Sequence, residues 1–198
     1  MTDYNFKPKP DRRGYGWYGK GHLPHLDAEG FTQFVTFRLA DSLPRTLIDK
    51  LRSEAADDVG FRKAVESKLD AGMGECWLAK PEIAAIVQDA LIYHNAVSYD
   101  LHAWVIMPNH GHLLATQLGG KHLPDILHSI KSFTANAANK VLGRSGAFWQ
   151  HESFDRYIRS NKHYSTVVDY IELNPVKAGL CSMREEWPWS SAGYSRQK

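Results

Sequence analysis

The sequence predicts an α+β protein, a ferredoxin-like antiparallel sheet with helices on one face. Three observations predict it. Short runs rich in β-branched and aromatic residues are separated by longer amphipathic stretches. They come in the order strand, helices, strand, strand, helix, strand, and then a last helix. The two middle strands meet at Pro108-Asn109, a pair that reads as a hairpin turn. At 198 residues and 43% hydrophobic, the chain can bury a sizeable core in one domain.

Residues 1–30 carry no helical or strand period and read as an N-terminal arm. The arm interleaves Tyr4, Phe6, Tyr15, Trp17 and Tyr18 with basic residues, including Arg12 and Arg13. Rings that stack on unpaired bases and cations that meet phosphates suit a polynucleotide. Residues 31–191 read as the folded domain, with 192–198 a tail. The first strand spans 31–39, alternating and rich in Phe, Val and Thr. Ser42 is the expected cap of the helix that follows, with Pro44 in its first turn and Leu47, Leu51 and Ala55 as its apolar stripe. A second helix is expected over 61–69, so that 43–80 forms a helical elaboration.

Pro81 opens a stronger helix, 82–95, with Ile83, Ile86, Val87, Ala90 and Leu91 inward and His94 as a cap or packed residue. The hairpin strands span 101–107 and 110–115. The long helix 123–142 places Leu127, Ile130, Phe133, Ala137 and Val141 on one stripe, with Lys131 and Lys140 on other faces. Residues 154–159 look like short strand material carrying Arg156 and Arg159. The last helix runs from Lys162 to about Asn174, because Pro175 disfavours helical geometry in the residue before it.

Composition excludes several classes. Two cysteines, Cys76 and Cys181, make neither a disulfide framework nor a thiolate zinc site. The N-terminus has no apolar signal region, and no run of about 18 apolar residues exists to span a membrane. A cytoplasmic protein is the expectation. The net charge of +2 is mild, but its distribution is uneven. Residues 49–100 hold ten acidic and six basic side chains, whereas 1–20 hold five basic against two acidic and 119–180 eight against five. An anionic partner would meet the ends of the chain, not its middle.

Two constellations carry chemistry. His110-Gly111-His112 opens a strand, and residues two apart on a strand project from the same face, about 7 Å apart. Two adjacent imidazoles can share one divalent ion; they can equally be two polar positions on a half-exposed strand. On the last helix Tyr170 and Asn174 lie one turn apart on one face, beside a stripe of Tyr164, Val168 and Ile171 suited to packing on the sheet. By themselves these read as a packed tyrosine and a helix stop.

The blocks Met107-Pro-Asn-His-Gly-His-Leu-Leu114, Phe148-Trp-Gln150, Phe154-Asp-Arg156, Ile158-Arg159, Tyr170-Ile-Glu-Leu-Asn-Pro-Val-Lys-Ala-Gly-Leu180 and Trp187-Pro-Trp-Ser-Ser191 resemble the REP-associated tyrosine transposases, a single-tyrosine branch of the HUH endonuclease superfamily. The resemblance covers most of residues 31–191. It implies a ferredoxin-like fold of that type and metal-dependent nicking and rejoining of single-stranded DNA at hairpin-forming repetitive palindromes. By the same resemblance, His110 and His112 match the metal-binding histidines, Tyr170 the nucleophile, and Asn174 the residue whose oxygen completes the metal site.

Neutral nitrogen and oxygen donors with open positions suit Mg2+ or Mn2+. Arg12, Arg13, Lys131, Lys140, Arg156 and Arg159 are the candidates for contacts to DNA. The acting species is a monomer or a homodimer. One residue departs from the family pattern. Gly111 stands where a bulky apolar residue is usual, which either loosens the strand or lets another segment approach closely. Two other readings stay open: a hairpin-binding module with impaired catalysis, and a metal-dependent phosphodiesterase that uses water.

Overall fold

Alternation along the predicted strands and the 3.6-residue period of the helices build one sheet between two helical layers. The computed structural model describes residues 17–20, 23–26, 30–119 and 122–196. Its elements are β1 (Trp17–Lys20), β2 (Leu23–Leu26), β3 (Thr32–Arg38), α1 (Arg45–Glu54), α2 (Asp58–Asp70), α3 (Pro81–Tyr93), β4 (Tyr99–Ile106), β5 (His110–Gln117), α4 (Leu123–Val141), β6 (Phe154–Tyr157), α5 (Asn161–Lys177) and α6 (Ser191–Arg196). The main sheet is antiparallel in the order β4-β5-β3-β6, the ferredoxin-like order expected.

The alternation sorts the two faces. Val35, Phe37, Leu39, Trp104, Ile106, Leu113 and Ala115 join Ile83, Val87 and Leu91 of α3 and Ile126 and Ile130 of α4 in the larger core. This is the expected helical layer. On the opposite face, Phe34, Val105, Met107 and Leu114 meet Val167 and Ile171 of α5. The helices α1 and α2 form a small core of their own from Leu51, Phe61, Val65 and Leu69, which meets the sheet through Phe154 of β6.

Several elements differ from expectation for identifiable reasons. Part of the arm, β1 and β2, is an antiparallel hairpin; Arg12 and Arg13 lie outside the described residues. Ser42 does not cap α1, whose preceding residue is Pro44. Its hydroxyl instead accepts from Arg38 Nη1 (3.1 Å) and donates to the Leu39 carbonyl (2.7 Å). In α4 the inward stripe is Leu123, Ile126, Leu127, Ile130, Thr134 and Ala138, whereas Phe133 and Val141 are 62% and 52% exposed. Thr134 is tolerated inside because it donates to Ile130 and accepts from the Trp149 indole. Residues read as a tail include α6, with Ala192 buried and Tyr194 edge-on to Trp104.

The largest difference concerns α5, which runs on through Pro175 to Lys177. Proline forfeits one bond to the preceding turn. The end is re-formed by Ala178 N–H donating to the Asn174 carbonyl and Leu180 N–H to the Pro175 carbonyl. Asn174 is therefore a buried residue inside the helix and not its stop.

Gly111 faces the larger core, and the ring of Phe37 fills the space above it. A Cβ there would sit 2.5 Å from the Phe37 ring tip. That ring is held edge-on against Trp149. The close approach expected of a strand glycine is thus made by a side chain of the neighbouring strand. Gly111→Val is expected to lose about 1–3 kcal/mol of stability through overpacking, and Phe37→Leu in the same chain to recover most of it. Denaturant midpoints of the two variants test this; a fully stable single variant would refute it.

Candidate metal and tyrosine site

The register of β5 against β3 sets the histidines. His110 lies opposite Arg38, and His112 opposite Thr36. Alternation sends both imidazoles to the α5 face, where they are almost completely buried. Their ring centroids are 4.8 Å apart. Tyr170 of α5 lies 5.3 Å from His112, ring to ring. Phe34 backs the group, stacked on His112 at 5.2 Å and edge-on to Tyr170 at 5.8 Å. One turn on, Asn174 is buried, and its amide bears on the ionisation of both Tyr170 and Asp70. The tyrosine helix therefore rests on the histidine pair of its own chain.

Hydrogen bonds fix which imidazole nitrogen is available. Asn109 Nδ2 donates to the Met73 carbonyl at 2.9 Å, which turns its Oδ1 toward His110 Nδ1 at 2.7 Å. Nδ1 of His110 must then carry the proton, leaving a lone pair on Nε2. Thr36 Oγ1 lies 2.9 Å from His112 Nδ1 and holds the ring from behind; its hydroxyl can accept from that nitrogen, which leaves the lone pair on Nε2 when it does. Both Nε2 atoms, both polar atoms of Asn174, the Tyr170 hydroxyl and Asp70 Oδ1 are buried without a hydrogen-bond partner. Buried polar atoms are rarely left so, and several orphans at one place need an explanation.

Among the described residues, no group of three or more His, Cys, Asp or Glu side chains forms a metal-holding cluster. A cation here would draw on two imidazoles and a carboxamide. That donor set fits a divalent ion: neutral, oriented from behind by Asn109 and Thr36, and otherwise unsatisfied.

Burial governs the electrostatics. It drives the His110 pKa down to about 3 and that of His112 well below the ordinary value, His112 also feeling His110 and Arg156. Burial raises the Tyr170 phenol, with Glu66 and Asp70 adding to the rise and Arg156 opposing it. Burial likewise raises the carboxyls of Glu66 and Asp70. The imidazoles are neutral, as metal ligands must be.

The stability consequence has a definite sign. The folded histidines refuse protons that the unfolded chain accepts below its ordinary value of about 6.5, so stability is lost as pH falls from there toward 3. The slope is about 1.4 kcal/mol per pH unit for each histidine. The raised Glu66 and Asp70 work in the opposite sense, gaining protons in the fold, and offset part of that loss. Urea unfolding at pH 7 and pH 5.5 is expected to give the lower midpoint at pH 5.5; equal midpoints would contradict the neutral, buried pair.

The other expected residues are scattered. Arg156 lies 4.8 Å over the Phe34 ring, beside the site. Lys131 donates to the His151 carbonyl and to Ser153, and burial lowers its pKa to about 8. Arg159 is exposed over the Tyr157 ring, and Lys140 is exposed near the end of α4. Sequence reasoning missed Thr36, Asn109, Glu66 and Asp70. Only Asn109, next to His110 in the hairpin turn, carried any signal.

No protein-family model matches the chain. It is 32% identical over 94 residues to the REP-associated tyrosine transposase of Escherichia coli (strain K12), covering 47% of this chain and 54% of that one. The chain is similar in sequence to REP-associated tyrosine transposases. It is also 36% identical over 53 residues to a putative REP-associated tyrosine transposase of Haemophilus influenzae, covering 27% of this chain and 30% of that one. It thus aligns with about half the length of one curated relative and under a third of the other. The structure of a REP-associated tyrosine transposase bound to a REP hairpin superposes with a TM-score of 0.58 at 20% identity, covering 90% of this chain and 87% of that one. The ferredoxin-like architecture is therefore that of a REP-associated tyrosine transposase. Among the described residues, no helix is long and apolar enough to cross a membrane.

Proposed function

We propose that this chain nicks and rejoins single-stranded DNA at hairpin-forming repetitive palindromes, through a covalent phosphotyrosine at Tyr170. One observation carries the proposal: the phenol, two imidazoles and a carboxamide converge with their inward polar atoms unsatisfied. The likeness to REP-associated tyrosine transposases supports the substrate class.

His110 and His112 would hold Mg2+ or Mn2+ through Nε2, and Asn174 through Oδ1. Such an ion, when bound, polarises a non-bridging phosphate oxygen and lowers the repulsion between phosphodiester and nucleophile. The chain's own residues do the rest. Phe34, His112 and Lys177 pack around the Tyr170 ring and orient its oxygen. The phenol proton leaves toward Glu66, the carboxylate that faces it. The oxygen forms a bond to phosphorus as the bond to the 3′ oxygen breaks, and that oxygen takes a proton from solvent. The product is a 5′-phosphotyrosine and a free 3′-hydroxyl. Because a phenol is a moderate leaving group, a 3′-hydroxyl can reverse the step without ATP. Arg156, beside Phe34, is placed for an incoming phosphate.

The placement of Tyr170 beside the histidines of its own chain supports a reading in which the tyrosine acts in cis. The filled space above Gly111 favours an intact site over the binding-only alternative. The test is a denaturing gel after incubation with a hairpin-bearing single-stranded oligonucleotide and Mg2+ or Mn2+. A slower protein–DNA band is expected. Cleaved DNA without that band would favour the water-using phosphodiesterase, and tight binding without cleavage the binding module.

A further inference from the structure

The helix α2 belongs to the elaboration whose role the sequence leaves unread, yet its last residue reaches the site. Asp70 Oδ1 lies 3.6 Å from His110 Nε2. Both atoms are buried, and neither has a hydrogen-bond partner. The proton of His110 is committed to Nδ1 by Asn109, whose own orientation is set by the Met73 carbonyl just beyond α2. A lone pair and a carboxylate oxygen therefore face each other, and the cation that bears on the carboxyl is the Lys177 ammonium, which belongs to no hydrogen bond of this pair. At 3.6 Å they are too far apart for a hydrogen bond. Two ligands of one ion, each about 2.1 Å from it, stand about 3.0 Å apart when adjacent and about 4.2 Å apart when opposite. The observed separation falls between the two. As placed, Asp70 and the two histidines do not yet form a metal-holding group, so the carboxylate closes on the ion by rotation of its side chain.

We infer that Asp70 is a fourth protein ligand, and the one anionic ligand, of the divalent cation held by His110, His112 and Asn174. The inference rests on the reading of those residues as a metal site. Asp70 is about one-third exposed and ends its helix, so its carboxylate turns inward without disturbing α2. A neighbouring group of the same set, the Asn174 amide, already bears on this carboxyl. A hard, charged oxygen donor also directs the site toward Mg2+ and Mn2+ and away from softer ions. The elaboration then acquires a purpose: its own core of Leu51, Phe61, Val65 and Leu69 holds α2 against β6, and α2 delivers the carboxylate.

The experiment is calorimetric titration of the metal-free protein with Mn2+, paired with thermal melting with and without Mn2+. Four proteins are compared: wild type, Asp70→Asn, His112→Ala and, as a control on α2, Ser67→Ala. Wild type and Ser67→Ala are expected to bind alike. Asp70→Asn is expected to bind at least tenfold more weakly and to lose most of the Mn2+-induced rise in melting temperature. Without metal, Asp70→Asn melts at or above the wild-type temperature, because a buried charge has been removed; a purely structural aspartate would lower it. Binding by Asp70→Asn equal to wild type, with His112→Ala impaired, overturns the inference and leaves the histidine site standing. Failure of wild type itself to bind Mn2+ overturns both.

Discussion

Tyr170→Phe is expected to abolish the covalent protein–DNA adduct while leaving the fold intact. The substitution removes one buried oxygen that makes no hydrogen bond of ordinary geometry, and the Glu66 carboxyl and Asn174 amide that bear on it lose only a weak interaction. The ring keeps its contacts with Phe34 and His112 and its place beneath Lys177. Thermal melting is therefore expected at or slightly above the wild-type temperature, because an unbonded polar atom leaves the interior. The chemical effect is all-or-none, since phenylalanine offers no nucleophile. DNA cleavage persisting in the variant would transfer the chemistry to water and end the strand-transfer proposal. An adduct persisting in the variant would place the nucleophile elsewhere.

The second large effect is expected from His110→Ala and His112→Ala. Each removes one of two neutral nitrogens aimed at the same space. Metal polarisation of a phosphate supplies several kcal/mol to such a reaction, so each variant is expected to slow adduct formation by about three powers of ten. A chelator should do the same to wild type. His112→Ala carries an additional structural penalty, because its ring stacks on Phe34 and touches Tyr170. His110→Ala is the cleaner test: its Nδ1 bond goes to an asparagine at the hairpin turn. Both variants active in the presence of chelator would remove the metal from the mechanism.

How far the site was legible follows from the range of each signal. His110 and His112 are two residues apart on a strand, and Tyr170 and Asn174 four apart on a helix. Such short spacings fix a common face whatever the rest of the chain does. The inward stripe of α3 was legible for the same reason. The stripe of α4 was misphased, because Thr134 reads as polar, and only its bonds to Ile130 and Trp149 make it an inward residue. The end of α5 was misplaced because a proline forbids one hydrogen bond, whereas the chain beyond it supplied others.

Distance in sequence hid the rest. Gly111 and Phe37 are 74 positions apart, yet one ring occupies the space of the missing side chain. Asp70 lies 40 positions before His110 on a helix of mixed charge with no motif, and nothing local distinguishes it from the solvated carboxylates around it.

The sequence alone determined the order of elements, the alternation that sends both histidines to one face, and the helical face shared by Tyr170 and Asn174. These are consequences of the strand and helix periods, which are properties of the backbone. Only the tertiary structure decided that those two faces meet, that Phe37 fills the place of a side chain at Gly111, and that α2 brings a carboxylate to the histidines. Those outcomes depend on packing between distant segments, where shape and buried charge are settled jointly and by no segment on its own.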